Sequence, residues 1–158
     1  MRRVRGLVVL RDEGICQWCG ERVTGLDMTE GNYSLQHRRA RGMGGSSRPE
    51  TDLPGNLVLV HGSGTTGCHG HIESHREEAA RRGFILPQPT SRTTWVPADV
   101  PILVRNSFGY AWELRDDLGG RDLRVNALDA VAMLQLVGAI SLSDMGQLER
   151  DAAPGGAA

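Results

Sequence analysis

The sequence predicts an α+β chain made of a small metal-stapled domain over residues 1–86 and a hairpin-plus-helix extension over residues 102–150. Three observations predict it. All three cysteines and all five histidines fall within residues 1–86. Residues 33–83 run as strand, long loop, strand and helix. Residues 102–140 run as two strands followed by a helical apolar pattern.

The first element, residues 4–11, is short and apolar, a helix or a strand, and leads to the turn Asp12-Glu13-Gly14. Next comes Cys16-Gln17-Trp18-Cys19-Gly20. Two thiolates at this spacing face one point, and Gly20 permits the tight backbone between them. A redox pair has the same spacing, but no βαβ pattern surrounds it, which favours a zinc knuckle. Tetrahedral zinc needs two more donors, which His61 and Cys68 supply across the flexible GSGTTG. Closed by Cys16, Cys19, His61 and Cys68, such a site is structural and adds stability to a core poor in aromatics. The alternative is a solvent-facing His61 with only the three cysteines at the metal.

Residues 33–37 form a short strand, residues 38–55 a loop rich in Gly, Ser and Pro, and residues 56–60 a second, apolar strand. Residues 69–83 are rich in helix formers and lack proline. There His69 and Glu73 stand one turn apart on one face, and His71 and His75 one turn apart on another. Either pair is spaced to grip a cation, and the local sequence does not choose between them. Four prolines in residues 87–101 mark a linker. Beyond it a hairpin turns near Ser107-Phe108-Gly109, and a helix begins near Asn126 with Val125, Leu128, Val131, Leu134 and Val137 as its apolar positions. The tail, residues 151–158, is expected to be disordered.

Composition narrows the function classes. No run approaches the roughly 18 apolar residues of a membrane helix, and the apolar run at residues 7–10 is too short for a signal peptide. A soluble cytoplasmic protein without a membrane partner is expected, and in that reducing setting the cysteines favour a metal over disulfides. All 18 basic residues are arginine. Residues 1–86 carry 12 of them against 10 acids, and residues 87–158 carry 6 against 9, so the first part is the basic one. A GC-rich genome explains the bias, yet guanidinium is also the group best suited to bidentate phosphate contact.

Taken in order, the C-x-x-C knuckle, His37, the Gly44-Gly45 pair in the loop, Asn56-Leu57 opening the second strand and Cys68-His69 at the helix start resemble the HNH family of ββα-metal nucleases, over about residues 12–80. The resemblance implies a ββα-metal (HNH, His-Me finger) core with a structural zinc knuckle, acting as a metal-dependent DNA endonuclease that hydrolyses phosphodiester bonds. It implies that His37 is the general base and that Asn56 orients the loop carrying it. It further implies that His69 and Glu73 ligate one catalytic divalent cation. The carboxylate favours Mg²⁺ or Mn²⁺, while His69 also tolerates Ni²⁺ or Zn²⁺.

One position departs from the family, which carries Asp, Glu or His just before the base where this chain has Gln36, a weaker and uncharged ligand. Arg38, Arg39, Arg41, Arg48 and Arg76 are the expected phosphate contacts, giving salt-sensitive DNA binding without sequence preference. The stretches QHRRARGMGG and GSGTTGCHGHIESH are most similar to HNH proteins of tailed phages and prophages of GC-rich bacteria. That similarity implies phage DNA as substrate, the host cytoplasm as location and the packaging terminase as a partner. The alternative is a zinc-stapled DNA-binding or packaging accessory protein that keeps the scaffold without turnover, with Gln36 as its symptom.

Overall fold

The computed structural model of the chain describes residues 2–23, 32–42, 48–106, 108–122 and 125–144. Helices and two small sheets alternate along it, an α+β arrangement. The first residues take the helical alternative: α1 spans Arg2–Arg11 and buries Val8. Glu13 and Gly14, both at positive φ (56° and 66°), then reverse the chain into the knuckle.

Strands β1 (Tyr33–His37) and β2 (Leu57–His61) pair antiparallel, in register from Tyr33↔His61 to His37↔Leu57. Alternation along β1 puts Ser34 and Gln36 on one face and Leu35 and His37 on the other. Asn56, expected to open the second strand, instead ends a 3-10 turn, Pro54–Asn56, whose proline has its φ preset for that turn.

The helix expected over residues 69–83 starts earlier and breaks in two, α2 (Gly67–Ser74) and α3 (Arg76–Arg81). The break falls at His75, which leaves helical geometry at φ −115°, ψ 58° although its N–H still reaches the His71 carbonyl at 2.9 Å; the Ser74 hydroxyl just before it turns back on the Gly70 and His71 carbonyls, 2.9 and 3.1 Å away. Gly83, at φ +73°, closes α3 so near the Pro101 carbonyl that a Cβ would sit 2.3 Å from it. Only glycine fits there.

Strands β3 (Ile102–Asn106) and β4 (Gly109–Arg115) form the hairpin, and β5 (Arg121–Asp122) adds a third strand. Ser107 of the expected turn, the Gly44-Gly45 pair and the tail at residues 151–158 lie outside the described residues. β3 serves two cores at once. Ile102 and Val104 join Cys16, Trp18, Val58, Val60, Ile72 and Phe84, whereas Leu103 joins Trp112, Leu134 and Val137. Residues 87–101 contain a 3-10 turn, Pro97–Asp99, and bury Pro97 and Val100.

Helix α4 (Ala127–Leu136) is capped by Asn126, whose Oδ1 accepts the Asp129 N–H at 2.9 Å. Leu128, expected on its apolar face, is 78% exposed. Steps of three lag behind a turn of about 3.6 residues, so Ala130 takes its place in the core beside the expected Leu134 and Val137, with Val125 and Val131 packed against them. No described helix is long and apolar enough to cross a membrane.

A buried ionic network ties the hairpin to the first core. Asp12 accepts from Arg11 Nε at 2.8 Å and from Arg115, and its second oxygen takes the Leu59 N–H at 2.9 Å. Arg115 also donates to Glu113 (2.8 Å) and to Gln17 (2.6 Å), a residue lying between the two knuckle cysteines. With both arginines and both acids out of water, each charge finds its partner inside the protein.

Candidate metal centre and the adjoining groove

Cys16 and Cys19 of the knuckle meet His61 at the end of β2 and Cys68 in the first turn of α2, with all four donor atoms within 4.8 Å of one another. His61 Nδ1 lies 3.3 Å from Cys19 Sγ and 4.0 Å from Cys68 Sγ. Tetrahedral zinc with ordinary bond lengths sets sulfur and nitrogen about 3.6 Å apart, so this group is compatible with a structural metal such as zinc. Supporting contacts agree with that geometry. His61 Nε2 faces the Arg22 carbonyl at 3.4 Å, which puts the ring proton on Nε2 and turns the Nδ1 lone pair toward the sulfurs. The His61 backbone N–H donates to Cys16 Sγ at 3.4 Å, and Gly20, at φ +78°, donates to the Cys16 carbonyl at 2.8 Å. Hydrogen bonds from Cys19 and Cys68 hold the Cys16 thiol down to about 3, while the same sharing pushes Cys68 up. Three sulfurs this close need a cation to be thiolates together.

On the Ser34–Gln36 face of β1 the neighbouring residues of α2 are His69 and Glu73. Ser34 Oγ donates to the Gly62 carbonyl at 2.6 Å and lies 2.6 Å from His69 Nδ1. One hydroxyl has one proton, so toward His69 the serine can only accept, and Nδ1 carries the ring hydrogen. Nε2 keeps its lone pair. Burial pushes the His69 pKa down, with His37 adding to the effect and Glu73 opposing it, which favours the neutral ring.

Gln36 is 2% exposed, and its amide donates to Glu73 Oε1 at 3.0 Å and to its neighbour's carbonyl, that of His37, at 3.1 Å. Both partners are pure acceptors, so the amide orientation is fixed by chemistry, and Oε1 is left buried with no hydrogen-bond partner. The second oxygen of Glu73 takes Arg76 Nη1 at 2.7 Å. A lone pair on His69, an orphaned amide oxygen and a carboxylate are a donor set that fits a hard divalent cation. Among the described residues, Cys16, Cys19, His61 and Cys68 are the one group of three or more His, Cys, Asp or Glu donors that converge. The competing pair resolves differently. His71 and His75 stack on each other at 4.1 Å, and His71 reaches Glu78 at 3.1 Å.

Gln36, His37, Glu73, Arg76 and Arg81 line a cavity of about 560 Å³ whose far wall is residues 138–141 and Asp144. His37 Nε2 stands 3.0 Å from Asp52 Oδ1 and 3.0 Å from Arg41 Nε, and Arg41 Nη2 donates to the same Oδ1 at 2.7 Å. The His37 hydrogen bond and the Arg41 charge hold the Asp52 carboxyl below its usual range. Asn56, 1% exposed, accepts the Arg39 N–H (2.7 Å) and donates to the carbonyls of Arg39 (3.0 Å) and Thr51 (2.8 Å). It thereby staples the backbone just after His37 to the backbone just before Asp52.

Two of the expected phosphate contacts are corrected. Arg38 is fully buried and donates to the carbonyls of Gly83, Pro97, Val100 and Pro101 at 2.7–2.9 Å, with Gly55 at 3.4 Å. It is a structural cation that joins four segments, its pKa pressed well below the usual guanidinium range by burial and by Arg115, Arg11 and Arg39. Arg39 is 4% exposed, stacks over Trp95 at 4.2 Å and pairs with Glu50 at 3.4 Å. Arg41, Arg48 and Arg76 keep 41%, 49% and 57% of their side chains in solvent.

Sequence reading missed Ser34 and Asp52. Ser34 shares the parity of Gln36 along β1, a signal that was available, whereas Asp52 reaches His37 only through the fold of the intervening loop. Compared with known proteins, the chain matches no family model, no curated protein and no solved structure.

Proposed function

We propose that this protein is a metal-dependent DNA endonuclease of the HNH type, stapled by zinc at Cys16, Cys19, His61 and Cys68. The observation that carries the reading is the adjacency at the end of β1: His37 and Gln36, on opposite faces of the strand, both line the 560 Å³ cavity together with Glu73. A proton acceptor and a candidate cation donor thus share one groove. Zinc at the closed cluster holds the knuckle, β2 and α2 together, and the reactive groups stand on β1, on α2 and on the 3-10 turn just before β2.

In this reading His37 accepts a proton from the water that attacks phosphorus, using the ring nitrogen not engaged by Asp52 or Arg41. Asn56 acts by holding the backbone on either side of the base. Gln36 Oε1, His69 Nε2 and the Glu73 carboxylate would hold the cation, and Ser34 keeps His69 in the required tautomer. When bound, a divalent cation supplies positive charge for a phosphate oxygen and for the departing 3′ oxygen. Arg41, Arg48 and Arg76 meet the DNA backbone, which gives binding that weakens steeply with salt. The wording shared with phage HNH proteins favours phage DNA as substrate and the packaging terminase as partner.

A second reading, a zinc-stapled DNA-binding or packaging accessory protein without turnover, is favoured by one observation: the groove offers an amide where the family offers a charged or imidazole ligand, and Glu73 is already engaged by Arg76. Nicking of supercoiled plasmid by the wild type and His37→Ala, with Mg²⁺, Mn²⁺, Ni²⁺ or EDTA, separates the two. Metal-dependent nicking reduced about 10²- to 10⁴-fold by the substitution is the expected result. A folded, zinc-loaded wild type that never nicks supports the accessory reading.

A further inference from the structure

His37, Arg41 and Asp52 cannot all be satisfied at once. His37 Nε2 is 3.0 Å from Asp52 Oδ1, which needs a proton on that nitrogen, and 3.0 Å from Arg41 Nε–H, which needs a lone pair there. A neutral imidazole offers one or the other. If Nε2 accepts from Arg41, the ring proton moves to Nδ1, and neither nitrogen is then free to take a proton from water. If Nε2–H donates to Asp52, the lone pair stands free on Nδ1. Arg41 and Asp52 also hold each other, at 2.7 Å, so whatever draws Arg41 away leaves Asp52 to His37 alone.

We infer that Arg41 and Asp52 compete for His37 Nε2, and that a DNA phosphodiester which takes Arg41 selects the Asp52-bound tautomer in which His37 can act as a base. The inference deepens the endonuclease reading and rests on it for its purpose, though not for its geometry. Arg41 is suited to the exchange, being 41% exposed, always charged and able to trade one carboxylate for a phosphate of similar shape. Asp52 is a positioning residue, acting on the substrate only through His37. The proton moves between the two ring nitrogens through solvent, which reaches the 20% exposed ring. No bond in the chain breaks, and the net charge of the trio is unchanged until phosphate arrives. Basicity at Nδ1 then appears only when a phosphodiester is at hand.

The test reads the tautomer directly, from long-range ¹H–¹⁵N spectra of the histidine side chains of the full-length, zinc-loaded chain, without added Mg²⁺ or Mn²⁺ and in phosphate-free buffer. The expected result is a proton on Nδ1 of His37 in the free wild type and on Nε2 after addition of a short DNA duplex. Arg41→Gln should carry it on Nε2 without DNA, and Asp52→Asn should keep it on Nδ1 with DNA, while Asp52→Glu restores the wild-type response. In Mn²⁺-supported nicking, Asp52→Asn should lower kcat about 10- to 100-fold with little change in KM. The same His37 tautomer in the wild type and in both Arg41→Gln and Asp52→Asn, with and without DNA, overturns the inference even if the protein nicks. A tautomer that moves as described in a protein that never nicks supports the competition and removes the endonuclease reading.

Discussion

Cys68 and His69 are neighbours in α2, yet one joins the Cys3His cluster and the other turns to Ser34 on β1. Around Cys68 the donors turn toward one another: three sulfurs and a nitrogen within 4.8 Å, with the histidine tautomer set by the Arg22 carbonyl. Around His69 the polar groups do not close on one another: Ser34 fixes the ring tautomer, the Gln36 amide oxygen is buried with no partner, and Glu73, shared with Arg76, lines the 560 Å³ cavity together with Gln36. Four donors closed on one metal leave no coordination position for a substrate, whereas the cation proposed at His69 and Glu73 would keep several. Two donors one residue apart on a helix point about 100° apart, so a single turn can build into both sites without either disturbing the other.

The contrast can be broken first at the closed site. Cys16→Ser should remove zinc and cooperative unfolding together, because structural zinc contributes about 10–16 kcal/mol in small zinc-folded units and exceeds the margin of a domain this size. Metal content and thermal unfolding read it. A folded, zinc-loaded Cys16→Ser protein would show that the knuckle is not the staple. Next in size is Arg38→Met, which should cost about 3–5 kcal/mol in denaturant unfolding, since the carbonyls of Gly83, Pro97, Val100 and Pro101 lose their shared cation.

At the open site, Gln36→Asp adds a charge where an uncharged oxygen now stands, and Mn²⁺ should bind on the order of tenfold more tightly. Unchanged affinity by titration calorimetry would remove residue 36 from the ligand set. The smallest effect belongs to Arg76→Ala, which should leave stability within about 0.5 kcal/mol while reducing the salt dependence of DNA binding by about one counterion.

Much of this was legible in sequence where one short-range rule governs. The C-x-x-C spacing, the period of two in residues 33–37 and the helix start near Asn126 each depend on neighbours within a turn or a strand, and the structure carries all three. Arg38 was misread for the opposite reason. A guanidinium reads as surface until carbonyls from residues 45 to 63 positions away converge on it, and that convergence is a property of the tertiary fold. Leu128 failed because three-residue steps drift around a helix. The split between α2 and α3 escaped because no proline or glycine marks it: it lies at His75, whose backbone leaves helical geometry.

The most direct test of two neighbouring donors serving two different sites is metal analysis of Cys68→Ser and His69→Ala, each dialysed to equilibrium against Zn²⁺ and Mn²⁺ together. The account predicts that Cys68→Ser loses its zinc and its cooperative unfolding, whereas His69→Ala keeps one zinc and its fold and loses the Mn²⁺ that the wild type retains. Loss of zinc from both variants, or full retention of Mn²⁺ by His69→Ala, would contradict it.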